Sequence, residues 1–272
     1  MSSKNIAQEV NKYFKEVRIF KELKEEQRIL TIEASKDFKV LSDNLFICRF
    51  LYDCVNKGLE YQRDWIDKHK GDIAKKINPE EAQRITQDFE VLEKNKDLIL
   101  VLAYEFFINY LVTIIRVSLY KNPTPLKTIK EIKYKGPELV DKLANNTLNI
   151  LEDLINILIF GSKEDGTLKI YPEHWIWIVE EMQEVEIKES HKAFWRALGI
   201  RRNASSHITA RTQWEKIENM LDHTDILVWL YSILFLGYTI DVSLCKKYHI
   251  ETNEITVNFS GEPIYDLQKV SL

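Results

Sequence analysis

Glycine and proline are scarce in this 272-residue chain, at 8 and 6. Folds assembled from many strands or βα units need more turn residues than that, so the shortage favours long helices. Cysteine is scarce too. Cys48, Cys54 and Cys245 form no tight pair, and the odd count excludes a disulfide framework and fits a reducing compartment. Excess positive charge is lacking, with a formal net charge of −4. A dedicated duplex-binding protein is usually basic, so any contact with nucleic acid must come from a local patch. The opening MSSKNIAQEVNKYFKEV contains no apolar run, so no secretory leader is expected and the chain reads as cytoplasmic. There is no phosphate-cradling GxxxxGKS, GxxxxGKT or GxGxxG, and no HExxH or CxxC. Neither a metal nor a cofactor is therefore expected. The stretch from Gly161 to Gly166 has the glycine-serine look of a nucleotidyltransferase turn, but no paired acids follow it, and it reads as a plain turn. His174, His191 and His223 have no obvious partners and read as surface or capping residues.

Helical periodicity is what the chain does have. Val10, Phe14, Val17 and Leu23 put a charged helix over 4–30. Phe38, Leu41, Leu45, Cys48, Leu51 and Tyr52 share one side of a second helix over about 37–69. Pro79-Glu80-Glu81 is a strong helix start, and Asn122-Pro123-Thr124-Pro125 a strong stop near 120. Further helices are expected from Pro137 to about Phe160, at Pro172 through Trp177, and over 188–200, 203–221 and 224–244. Ile255-Thr256-Val257-Asn258-Phe259 alternates like a short strand. The apolar stretches 98–120 and 226–240 read as core helices, because the first carries Glu105, Asn109 and Arg116 and the second is short of the ~20 residues a span needs. The expected fold is all-α, an up-and-down helical bundle at 79–250, with extra N-terminal helices over 1–78 and a short C-terminal tail over 251–272.

The most informative motif is Arg202-Asn203-Ala204-Ser205-Ser206-His207. Four residues separate the arginine from the histidine, and a polar residue follows the arginine. The pattern is short enough to recur by chance, and Arg63-Asp64 with His69 is a second match. That match lies in the heavily charged EYQRDWIDKHKGD, which reads as solvated surface. Arg202 instead sits between the aromatic Phe194-Trp195 helix and the apolar stretch after 225. Arg201 is also at an allowed spacing, but only Arg202 is followed by a polar side chain. On a continuous helix Arg202 and His207 point about 140° apart, whereas Asn203 and His207 share a face. The arginine can join the histidine only if the helix is irregular here, or if two subunits combine.

The motif and the helical order around it resemble the HEPN superfamily, over about 80–245. The resemblance implies a metal-independent endoribonuclease acting as a homodimer, with two motifs facing each other across one cleft. It also implies an association with toxins and antiviral effectors, and so with an antitoxin or regulatory partner. Residue chemistry agrees: histidine titrates near neutrality and can move the proton of a 2′-hydroxyl, while the arginine fork suits phosphate oxygens. Arg202, Asn203 and His207 are the expected catalytic set, and Arg201, Ser206 and Arg211 are candidates for holding substrate. The alternative is a non-catalytic HEPN-like helical module that binds a protein or RNA partner.

Two further features bear on the site. Glu105, Asn109 and Arg116 fall within about 40° of each other on the wheel of an otherwise apolar helix. They form either a solvent-facing stripe or the floor of a cleft or subunit interface. The segment 121–136 is rich in lysine, and Lys127, Lys130 and Lys133 could hold an RNA backbone by charge or could simply be solvated. No membrane contact is expected.

Overall fold

A computed structural model describes residues 1–25, 29–76, 79–128, 150–160, 171–204 and 207–258, with side chains apart from 18–30, 70–95, 127–128, 150 and 258. The described chain is mostly helical. In order it forms α1 (Ser3–Glu25), β1 (Ile29–Ala34), α2 (Lys36–Lys76), α3 (Pro79–Lys121), a 3-10 turn (Thr124–Thr128), α4 (Ile150–Phe160), α5 (Pro172–Trp177), α6 (Glu189–Ala204), α7 (Ile208–Glu218), α8 (Ile226–Tyr248) and β2 (Asn253–Asn258).

α1 buries Ile6, Ala7, Val10, Tyr13, Phe14 and Val17, one apolar residue every three or four. It stops at Glu25 rather than running to 30, and the residues from Ile29 form a strand. β1 pairs antiparallel with β2, Ile32 opposite Ile255 and Leu30 opposite Val257. The alternating pattern at 255–259 marks a strand, whereas its partner ILTIEA has apolar residues at 29, 30 and 32 and does not alternate cleanly. Ile32, Ala34, Ile255 and Val257 all face the core. The two-stranded ribbon therefore ties the start of α2 to the end of α8.

α2 runs through Gly71 without a break, and α3 starts at Pro79 as its first-turn proline dictates. The two make an antiparallel hairpin with arms of about 60 Å, at 1.5 Å per residue. α3 ends at Lys121, where Asn122 turns the chain by accepting the Thr124 N–H at 3.1 Å and Pro123 follows.

One core runs from Ile6 to Val257. Its largest fully buried side chains include Trp175, Trp195, Trp229, Tyr13, Tyr104, Phe38 and Phe107. Gly199 of α6 lets Pro172 of α5 approach closely, since a Cβ there would meet the proline Cγ at 2.3 Å. Residues Lys96–Lys121 of α3 and all of α8 are long and apolar enough to cross a membrane, and 56% of each apolar window is buried inside the protein.

A buried polar cluster fastens these elements. Asp241 of α8 is fully buried and accepts hydrogen bonds from the Ser35 amide (2.9 Å), the Ser35 hydroxyl (2.6 Å) and the Tyr110 hydroxyl (3.1 Å). The Ser35 oxygen in turn caps α2 by accepting the Phe38 N–H at 3.1 Å. One carboxylate thus joins α8, α3 and the β1–α2 corner.

Candidate functional site

The motif sits where α6 ends and α7 begins. Local sequence explains the break. Asn203, Ser205 and Ser206 are weak helix formers that compete for backbone hydrogen bonds, and α7 then needs a new N-terminus. The helix boundary expected between 200 and 203 lies instead after Ala204. His207 is the N-cap of α7, with extended backbone (φ −130°, ψ 125°). Its N–H donates to the Asn203 carbonyl at 2.9 Å, and its own carbonyl accepts from the Arg211 N–H at 3.0 Å. Its imidazole makes no cap hydrogen bond and is exposed. The 140° separation of a continuous helix therefore does not apply between Arg202 and His207.

Arg202 projects from the last turn of α6 and is half-buried. One guanidinium nitrogen donates to Glu105 Oε1 at 2.9 Å and the other to Asn203 Oδ1 at 3.0 Å. Glu105 comes from the middle of α3, 97 positions away. The ion pair and the neighbouring amide fix the plane of the fork beside the helix break. Beneath it Tyr104 is buried, and burial pushes its hydroxyl well above the ordinary tyrosine range.

Arg201 goes elsewhere. Its guanidinium lies over the edge-packed rings of Trp214 and Trp229, 5.0 Å from each centroid, and pairs with Asp97 at 3.4 Å. With its side chain only 9% exposed, it fastens α6 to α7 and α8, and it is not placed to hold a substrate. Arg211 is exposed, and its Nε points back to the Ala204 carbonyl at 3.4 Å, across the junction. Arg63 and His69, the second match, are both exposed on α2, with His69 stacked on Trp65 at 4.8 Å.

The α3 polar stripe divides. Glu105 joins the motif, and Asn109 is exposed. Arg116 turns to α4, where it donates to Asn156, pairs with Glu152 at 3.3 Å and lies over the Phe160 ring. Lys127 is in the 3-10 turn after α3. Ser206, Lys130, Lys133 and the turn from Gly161 to Gly166 lie outside the described residues. Among the described residues, no group of three or more His, Cys, Asp or Glu side chains could hold a metal ion.

A second polar cluster was not legible in the sequence. His191 of α6, read there as a surface or capping residue, is buried against Tyr13 and Phe235, and its Nε2 faces Glu16 Oε2 of α1 at 3.4 Å. Burial holds its pKa below the ordinary histidine value, with Glu16 acting in the opposite sense. Burial raises the Glu16 carboxyl, but Lys188, Ser190 and His191 outweigh it and leave its pKa below the usual carboxylate range. The only advance signal was that His191 lies one turn from two core aromatics, Phe194 and Trp195.

In comparisons with protein families, curated proteins and solved structures, no family model, no curated protein and no solved structure matches the chain.

Proposed function

We propose that this chain is a metal-independent endoribonuclease of HEPN type, cytoplasmic and acting as a homodimer on RNA. The observation that carries the reading is the α6–α7 junction, where Arg202 is held by Glu105 and Asn203 while the His207 imidazole stands exposed five residues on. His207 takes the proton of a 2′-hydroxyl, whose oxygen then attacks the adjacent phosphorus. The P–O5′ bond breaks, and the second His207 of the dimer protonates the leaving 5′-oxygen. Arg202 stabilises the charge gathering on the phosphoryl oxygens. The products are a 2′,3′-cyclic phosphate and a 5′-hydroxyl. Asn203 positions the arginine, and Arg211, Ser206 and the lysines at 127, 130 and 133 are the candidate holders of RNA backbone. A role as toxin or antiviral effector, with an antitoxin or regulatory partner, belongs to the same reading. The two apolar helices serve as core in it, as the Tyr110–Asp241 hydrogen bond between them favours.

The Arg202–Glu105 pair also favours a second reading, in which the arginine is a strut and the domain binds a partner without cutting. The two separate on one measurement. Purified protein incubated with RNA in EDTA is expected to yield fragments ending in 2′,3′-cyclic phosphate, and His207→Ala none. Cleavage lost on chelation and restored by Mg²⁺ rejects the mechanism. Binding without cleavage supports the second reading.

A further inference from the structure

α2 is apolar on two sides. Phe38, Leu41, Leu45, Cys48, Tyr52 and Leu59 face the core. Val40, Ile47, Phe50, Leu51, Tyr61 and Trp65 are exposed, Phe50 at 60% and Tyr61 at 73%. All of these but Phe50 follow a rule, together with Asn44, Gly58 and Cys54, the last also exposed. Positions 40, 44, 47, 51, 54, 58, 61 and 65 alternate steps of four and three, the two-column repeat of a coiled-coil seam. On the wheel they occupy about 100° of arc and drift by about 20° per heptad, so a partner must be another helix wrapped with a left-handed twist. The seam is about 38 Å long, at 1.5 Å per residue.

Its area argues for a stable contact. Taking large side chains at about 150–250 Å² each, the five exposed apolar residues of the seam, Val40, Ile47, Leu51, Tyr61 and Trp65, leave roughly 500 Å² of apolar surface on one face. That is the size of the largest apolar patch on an ordinary monomer. It is also close to the non-polar share, about 480 Å² (roughly 60% of ~800 Å²), that each partner buries in a standard interface.

Side-chain size argues for which partner. Laid against itself antiparallel, the seam has one register in which all eight positions pair: Val40 with Trp65, Asn44 with Tyr61, Ile47 with Gly58, and Leu51 with Cys54. A bulky side chain meets a smaller one in three of the four layers, Val40–Trp65, Asn44–Tyr61 and Ile47–Gly58, as close packing requires. A parallel pair would stack Trp65 on Trp65 and Gly58 on Gly58, a bulge beside a void. We propose that the outer face of α2 is an antiparallel self-association seam whose occupant is the same face of a second copy of this chain. α2 packs on α3 and α8, whereas Arg202 and His207 lie at the α6–α7 junction, so this contact is distinct from the cleft of the ribonuclease reading and does not depend on it.

The molecule carries its own probe. Cys48 and Cys245 are buried, and burial pushes both thiols up to about 12, with Asp241 adding to the second. Cys54 is left as the reactive thiol. In the proposed register two Cys54 residues lie three positions apart along the seam, about 4.5 Å, beside the dyad. The test is the mass of the full chain by light scattering at tens of micromolar, with native cross-linking by a short bismaleimide. Wild type is expected to cross-link through Cys54, and Cys54→Ser not at all. Ile47→Glu and Tyr61→Glu, each on an already exposed position, should halve the mass while circular dichroism and thermal melting stay unchanged. His207→Ala should leave the mass as it is. A monomeric wild type overturns the proposal. So does a mass that either glutamate leaves unchanged, or wild-type protein that takes up vesicles or a foreign helix on this face while remaining monomeric.

Discussion

Arg201 and Arg202 leave α6 in different directions, and the difference is a matter of solvent. Arg201 is buried against Trp214 and Trp229, where a desolvated cation–π contact is worth up to about 2 kcal/mol. Arg202 is half-buried beside Glu105 and a helix end. Arg201→Ala is therefore expected to lower the melting temperature by several degrees, at about 2–4 °C per kcal/mol for a chain of this size. Any RNA cleavage by the folded fraction should survive it. Arg202→Ala should do the reverse, removing about 10²–10³-fold of cleavage with little change in melting. Thermal melts and initial rates on the same preparations check both. If Arg201→Ala abolishes cleavage in a protein that melts normally, the roles are exchanged.

At the scale of elements, the α6–α7 break places a histidine where a helix wants a cap. His207 is the N-cap of α7 and its side chain caps nothing, although Ser, Thr, Asp or Asn at that position would satisfy an orphan N–H. His207→Asp is expected to raise stability by about 0.5–2 kcal/mol and to eliminate cleavage, a trade seen where a residue is retained for chemistry. Urea unfolding and an RNA assay report the two halves. Loss of stability on this substitution would mean that the imidazole holds the junction together. The β1–β2 ribbon and the Asp241 cluster act at the same scale, since each joins ends of elements that are remote in the chain.

For the whole molecule, α1 closes the bundle through both apolar contact and the Glu16–His191 pair. The pKa shifts set the direction of its response to acid. His191 is held below its ordinary 6.5, so the folded state binds fewer protons than the unfolded one there, and the stability it contributes is present above pH 6.5 and lost below. Glu16 is held below its ordinary 4.5, so its contribution is present above pH 4.5 and lost as the pH falls further. The melting temperature is expected to fall in two stages, first below pH 6.5 and again below 4.5. His191→Gln should flatten the first stage and leave the second. A melting temperature that is level from pH 7 to 5 in wild type would refute this account of the pair.

The local part of the fold was legible because its causes are local. Pro79 starts α3, Asn122-Pro123 ends it, and apolar residues every three or four positions mark α1 and α2. The arginine-polar-histidine spacing was visible for the same reason, and so was the alternation that became β2. The wheel of α3 already placed Glu105, Asn109 and Arg116 on one stripe, but not what each would meet. Only packing across about 100 residues set Glu105 against Arg202 and sent Arg116 to α4. The sequence preferred Arg202 over Arg201 by the polar Asn203 that follows it, but that Arg201 would lie against Trp229, on another helix, was not legible there. β1 was unreadable without its partner, because a six-residue ribbon is held by cross-strand pairing rather than by its own propensity. The burial of His191 followed from how α1 docks on α6. Periodicity and turn chemistry act over a few residues and survive in the sequence. Pairings between distant side chains depend on which faces the collapsed core brings together, and one chain read along its length does not contain that choice.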